Sequence, residues 1–238
     1  MFSANFYYRL NYQFRNGANA SVFLKYIKDR LLHPFQSKKK RNFTQKHKID
    51  LSKKKTTTDY FSINAYYWSS ILNKNLNNFS YLEIGSWEGN SALYILKNFM
   101  TKKVVCVDIW DLYDDNYKEE HLKRFENFKY NLKEFEKKFS FFKNTSDKFF
   151  EINREKFDLI YIDGSHEAQQ VYKDISNSWA CLNHNGIIVC DDYFYGNIYS
   201  NTNQDVPALS INRFLRENKD MIQIICVNNT QIFFKKIK

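Results

Sequence analysis

The sequence predicts an α/β protein built on a doubly wound sheet, mostly parallel, with helices on both faces and an antiparallel C-terminal hairpin strand. Three observations predict it. Strand-like and helical patterns alternate from residue 80 to residue 190, as right-handed βαβ units require. Two further apolar runs, joined by an Asn-rich turn, then make a hairpin, so one strand must run antiparallel. Finally, 43% hydrophobic residues, with 22 Phe and 17 Tyr in 238 positions, supply one large core.

In chain order, "SVFLKYIKDRLL" (21–32) has the spacing of an amphipathic helix, with His33-Pro34 expected to stop it. Residues 36–58 are polar and cationic and read as a linker. The expected organisation is therefore a basic N-terminal extension and linker over 1–55 and a folded domain over 56–238. "DYFSINAYYWSSIL" (59–72) has helical spacing, with Asp59 placed to cap it. Strands are expected at 80–84, 103–108, 139–143, 157–162 and 186–190, and helices near 90–99, 118–137, 146–154 and 168–181. A helix near 207–217 precedes the hairpin "MIQIICV", "NNT", "QIFFKKI".

The formal net charge of +10 is unevenly placed. Residues 1–58 hold 14 Lys and Arg against Asp29 and Asp50, which leaves 22 basic and 24 acidic residues for the rest. The basicity therefore belongs to the N-terminal segment, which suits weak contact with an anionic surface; a solvated, partly disordered leader is the plain alternative. The four cysteines show no CxxC and no zinc-like spacing, and three lie in apolar strand-like runs. A reducing compartment follows. No run approaches the ~20 apolar residues of a membrane helix, and the N-terminus lacks the apolar centre of a signal peptide. The expected location is cytoplasmic. Homo-oligomerisation is left open.

In such sheets ligands bind beyond the carboxyl ends of the strands, so the residues after each strand carry the chemistry. The first strand leads into "LEIGSWEGNSAL" (82–93). A dinucleotide fingerprint starting at Gly85 also needs glycine at 87 and 90, where Trp87 and Asn90 stand. The P-loop lysine is absent too. A glycine turn preceded by Glu83 instead suits a ligand with an ammonium group and no phosphates, such as S-adenosylmethionine. Asp108, at the end of the second strand, is placed to accept hydrogen bonds from both ribose hydroxyls.

The fourth strand ends in Asp163 and the fifth in Asp191 and Asp192. Neighbouring strands lie roughly 4.8 Å apart, so three carboxylates are expected to converge and to need a compensating cation. Hard oxygen ligands suit Mg²⁺ or a similar divalent ion. The plain reading is that Asp191 or Asp192 caps the next segment and that Asp163 merely ends its strand. His166, one turn past Asp163, is a candidate general base, or a cap of the helix that follows it.

These residues match a known family. Residues 56–238 resemble class I S-adenosylmethionine-dependent methyltransferases, which have a Rossmann-like sheet, and within them the metal-dependent O-methyltransferase branch that includes catechol and macrolide-sugar enzymes. "LEIGSWEGNSA" is similar to the branch's first motif. The resemblance implies that Glu83 and Ser91 contact the methionine end of the cofactor, that Gly85 and Ser86 line the turn, and that Asp108 binds the ribose. It implies that Ser146 lies near the adenine, that Asp163, Asp191 and Asp192 hold the metal, with Asp163 also at the cofactor edge, and that His166 is the base. Catechol-type enzymes carry lysine where this chain has His166, and Asp-Asn where it has Asp191-Asp192. A sugar or polyol-like hydroxyl is therefore the expected acceptor, contacted by the loops at 110–120 and 193–206.

Nucleic acid is disfavoured as a partner. Amino-group nucleic-acid methyltransferases use an Asn/Asp-Pro-Pro-aromatic loop after the fourth strand, where this chain reads "DGSH"; Pro34 and Pro207 are its only prolines. The rival reading from another class is a methyltransferase-like binding module, tethered by the basic N-terminus to a membrane or polyanion.

Overall fold

The computed structural model describes residues 4–110, 123–196 and 206–238. Seven strands form one mixed sheet with an antiparallel C-terminal hairpin, as the alternating pattern and terminal hairpin predict, and their order is β3-β2-β1-β4-β5-β7-β6. The strands are β1 (Phe79–Ile84), β2 (Thr101–Asp108), β3 (Phe139–Lys143), β4 (Phe157–Ile162), β5 (Leu182–Cys190), β6 (Ile222–Val227) and β7 (Ile232–Lys236). By contact density the chain divides into Phe35–Leu159 and a second unit made of Met1–Pro34 with Ile160–Lys238.

Within Phe35–Leu159, β1 pairs with β2 and β2 with β3, all parallel. Helices α3 (Ala65–Asn75), α4 (Asn90–Asn98), α5 (Arg124–Leu132) and α6 (Ser146–Ile152) connect or flank them. The parallel register aligns Ile84 with Val107, and Asp108 with Lys143, so the strands end level with one another. Burial follows from sequence: every residue of β1 from Tyr81 to Ile84 is buried, and β2 is buried from Val104 to Val107, as near-continuous apolar runs in parallel strands require. Asp59 does not cap the long helix expected over 59–72, which starts at Ala65, preceded by Asn64. Asp59 Oδ1 accepts from the Ser62 amide at 2.9 Å, at the start of a 3-10 turn, Ser62–Asn64, which leads into α3.

The second unit contains α1 (Ala4–Arg15), α7 (Ala168–Cys181), α8 (Pro207–Glu217) and the strands β5, β7 and β6, the last three paired antiparallel. β7 follows β6 in the chain but sits between β5 and β6. Its register sets Ile232 opposite Cys190, and therefore brings Gln231 to the end of β5.

The N-terminal segment departs from expectation. Helix α2 runs Ala20–Leu51, straight through Pro34, where a stop and then a linker were expected. An interior proline removes one backbone hydrogen bond and costs about 3 kcal/mol, so something must offset it. Beyond Pro34, the residues Lys40, His47 and Leu51 recur at helical spacing and are all buried. Lys40 Nζ donates to the Tyr67 hydroxyl at 2.6 Å and lies over its ring at 4.4 Å. Phe43 meets Tyr66 edge-on, and His47 meets Phe61 and Tyr94 in the same way. A stripe that reads as polar and cationic is thus packed on aromatic rings.

Burial among these rings lowers the His47 pKa to about 4. The unfolded chain takes up a proton near 6.5 while the folded chain resists it. Stability from this group is therefore present above pH 6.5 and is lost as pH falls toward 4, by about 3 kcal/mol at most. Thermal melts of His47→Phe should show less acid destabilisation than wild type between pH 7 and pH 4.5; parallel curves would contradict the assignment.

Candidate functional site

The residues that follow the strands form two groups, one in each unit. In Phe35–Leu159 the group centres on Glu83. Glu83 is fully buried, and its Oε2 accepts from the Tyr81 hydroxyl. Tyr81 and Glu83 share a face because side chains alternate along a strand. Its Oε1 is buried with no hydrogen-bond partner, as is the Ser86 hydroxyl. Desolvation raises the Glu83 pKa to about 7, against the Tyr81 hydroxyl, which favours the charged form. An orphaned carboxyl oxygen near an orphaned hydroxyl is what a bound ammonium would satisfy.

The turn around this group is built by left-handed backbone. Gly85 has φ +87° and Gly89 has φ +81°, a region glycine enters without penalty. Trp87 and Trp110 lie in the same region, at φ +46° and +45°, which is unusual for bulky residues and clusters at functional sites. Asp108 holds both. Its Oδ2 accepts from the Trp87 amide at 2.7 Å and its Oδ1 from the Trp110 amide at 2.6 Å. Trp110 Nε1 in turn donates to the Trp87 carbonyl at 2.7 Å. Burial raises the Asp108 pKa, opposed by those amides and by Arg124, whose guanidinium lies 3.7 Å from the Trp87 ring centre. Each Asp108 oxygen keeps a second lone pair, so ribose hydroxyls fit the donor set. Ser91 is buried in the first turn of α4. Ser146 opens α6, and is half-buried just past β3.

Sequence reasoning missed Glu88. It is fully buried; its Oε2 accepts from the Thr57 amide at 2.7 Å and hydroxyl at 3.1 Å, and its Oε1 from Asn127 Nδ2 at 2.7 Å. Asn131 Nδ2 reaches the carbonyls of Lys55 and Glu88 at 3.0 and 2.9 Å. Residues 55–57 are thereby strapped to the turn after β1. The only available signal was a charged residue inside an otherwise apolar, small-residue turn.

The second group lies at the ends of β4 and β5. Asp163, His166, Asp191 and Asp192 line one recess, with about 10 Å³ of room for water, so the structure brings these four expected residues together. The Tyr161 hydroxyl lies 2.8 Å from Asp163 Oδ2 and also bonds Asp191 Oδ2. Gln231 Nε2 donates to the same Asp191 oxygen at 2.8 Å, and the Asp192 amide to Asp191 Oδ1 at 2.8 Å. Burial and the neighbouring Asp192 charge raise the Asp191 pKa. Asp192, at φ +52°, turns its carboxylate to His166, with Nε2 and Oδ2 2.7 Å apart. The His166 ring stacks on Tyr195, centroids 4.1 Å apart and planes 26° apart.

The expected metal is not shown in this arrangement. Among the described residues no group of three or more His, Cys, Asp or Glu stands ready to hold an ion. The Tyr161 hydroxyl, with one proton to donate, lies between Asp163 and Asp191, Gln231 donates to Asp191, and His166 pairs with Asp192. The helix-cap reading of His166 is not what the structure shows either; Glu167 precedes α7 without a side-chain cap. Of the two acceptor loops, residues 111–120 and 197–205 lie outside the described residues. No described helix is long and apolar enough to cross a membrane.

Comparison with known proteins bears on the fold. Residues 82–193 match the family described as methyltransferase domain. The O-methyltransferase from Bacillus cereus, solved with S-adenosylhomocysteine, superposes with TM-score 0.56 at 12% identity, over 91% of this chain and 100% of that one. TomG, the Streptomyces achromogenes O-methyltransferase of tomaymycin synthesis, solved with S-adenosylmethionine, gives 0.53 at 11%, over 70% and 77%. A ribosomal RNA methylase from Streptococcus thermophilus gives 0.54 at 11%, over 77% and 100%. At these identities the likeness is one of fold. No curated protein matches the chain in sequence.

Proposed function

We propose that this chain is a class I S-adenosylmethionine-dependent methyltransferase that methylates a hydroxyl of a small molecule of sugar or polyol type; its fold and the methyltransferase-domain match over residues 82–193 support the reading. The observation that carries the reading is the His166–Asp192 pair, an imidazole oriented by a carboxylate at 2.7 Å. When bound, the cofactor supplies an electrophilic methyl group on a sulfonium. Everything else falls to side chains. Glu83, with Ser86 and Ser91, binds the ammonium end; Asp108 accepts from the ribose; Ser146 is assigned to the adenine side. Asp192 accepts from His166 Nε2–H and so selects the tautomer whose lone pair is on Nδ1. His166 then takes the acceptor's hydroxyl proton, and Asp192 stabilises the imidazolium that results. Asp163 and Asp191 hold the rim through Tyr161.

No step is routed through a metal. The reading is tested by label transfer from methyl-tritiated S-adenosylmethionine to a panel of glycosides, polyols and phenols, with ribosomal RNA as a separate arm. Transfer to a small hydroxyl compound, unchanged after chelator treatment, is expected. Loss of turnover on chelation with recovery by Mg²⁺ would restore the metal; transfer to RNA alone would overturn the acceptor class.

A further inference from the structure

We infer that helices α1 and α2 belong to the reaction centre: through Tyr12 they fix the turn at 193–195, and Tyr195 on that turn holds the plane of the His166 ring. The inference rests on His166 as proton acceptor for its consequence, but not for its geometry.

The turn is closed on itself. The Tyr195 amide donates to the Asp192 carbonyl at 2.8 Å, and the Tyr193 amide to the Thr230 carbonyl at 2.8 Å. The buried Tyr193 hydroxyl lies 2.9 Å from Asn212 Oδ1 on α8. Two residues of this one turn then grip His166 in different ways. Asp192 fixes a ring nitrogen in the ring plane, yet a single hydrogen bond leaves the ring to rotate about that bond. Tyr195, stacked at 4.1 Å, removes this rotation, because an offset stack fixes the plane. Together they define where the other nitrogen points.

What holds Tyr195 comes from the other end of the chain. The buried Tyr12 hydroxyl on α1 donates to the Tyr195 carbonyl. Phe194, between the two gripping residues, lies 5.6 Å from the Tyr12 ring and 5.3 Å from Tyr26 on α2, with the Arg9 guanidinium 5.0 Å from its centre. The corner between α1 and α2 is itself docked: Asn212 Nδ2 donates to the Asn16 carbonyl at 3.0 Å, and Arg216 to the Gly17 carbonyl. An N-terminal extension that served only as a charged tether would have no reason to bury Tyr12 and Tyr26 against the residues that follow the strand-end Asp191-Asp192.

Tyr195 is thus a positioning residue, and Tyr12 acts through it. The test uses the full-length protein with three changes. Tyr195→Phe keeps the stacked ring, Tyr195→Ala removes it, and Tyr12→Phe keeps the ring on Phe194 while deleting the hydrogen bond. The readouts are the His166 ring-proton resonance, assigned by its disappearance in His166→Gln, the affinity for S-adenosylmethionine, and kcat with the best acceptor of the panel above. In wild type and Tyr195→Phe the resonance should be displaced upfield by the stacked ring. Tyr195→Ala should abolish the displacement and lower kcat by about 10-fold to 100-fold, as sub-ångström misplacement does, with cofactor affinity within about twofold. Tyr12→Phe should fall between them. An unmoved resonance in Tyr195→Ala overturns the clamp whatever the turnover. A moved resonance with unchanged kcat overturns the positioning role. A moved resonance in a protein that transfers no methyl group supports the clamp and sinks the proton-acceptor reading instead.

Discussion

Glu83→Gln is expected to weaken S-adenosylmethionine binding by about 30-fold or more and to flatten its dependence on pH. The cost of removing one member of a buried charge pair is roughly 2 kcal/mol at the least, and Glu83 Oε1 has no other partner to fall back on. The pH dependence follows from the pKa of about 7. An ammonium group needs the carboxylate, so binding below pH 7 must first expel a proton. The dissociation constant should rise toward tenfold per pH unit as pH falls from 7 to 5.5, measured by calorimetry. The same substitution should act oppositely on stability without cofactor. A carboxyl group whose pKa is raised by folding holds more protons folded than unfolded, so its contribution falls as pH rises from 4.5 to about 7. At pH 8 the burial penalty is on the order of 3 kcal/mol, and glutamine avoids the charge. A variant that melts higher at pH 8 yet binds poorly would bear out both halves. Unchanged affinity would remove Glu83 from the cofactor set.

His166→Ala should lower kcat by about 10²-fold to 10⁴-fold, the usual worth of a positioned base, while leaving cofactor affinity within about twofold. Added imidazole should restore part of the rate, which a folding defect would not permit. Asp192 allows a cleaner dissection. Its φ of +52° is a conformation that asparagine tolerates and most other residues do not. Asp192→Asn therefore removes the charge that orients His166 without straining the turn, and should cost about 10-fold or more in kcat with little change in melting temperature. Asp192→Ala should add a stability loss of roughly 1–2 kcal/mol from the left-handed backbone. If both variants melted alike and turned over like wild type, Asp192 would have no part in the reaction.

Much of this was legible at the strand ends, because alternation and length identify strands, and the residue after a parallel strand is carried to the ligand edge whatever the rest of the chain does. Asp108 and Asp163 were placed at strand ends in that way. The surroundings of the expected metal ligands were partly readable. Tyr161 stands two residues before Asp163, as Tyr81 does before Glu83, and i, i+2 in a strand share a face. A phenol beside the carboxylate was thus readable, and with it a donor that competes with a cation. Gln231 was not readable. It reaches Asp191 only because β7 inserts between β5 and β6, a pairing that local pattern does not encode. The passage of α2 through Pro34 was hidden for a related reason: Lys40 and His47 look solvated until Tyr67, Phe61 and Tyr94 are seen around them.

The insertion of β7 also orders events during synthesis. β5 leaves the ribosome well before its neighbour in the sheet exists, and β6 is made before the strand that will separate it from β5. At synthesis rates of about 5–20 residues per second, the rim that carries Asp191 spends seconds without Gln231, its carboxylate answered only by nearer groups. A nascent chain paused after β6 would expose the edge of β5 to any strand that happened by. Competence in this half of the fold arrives with β7.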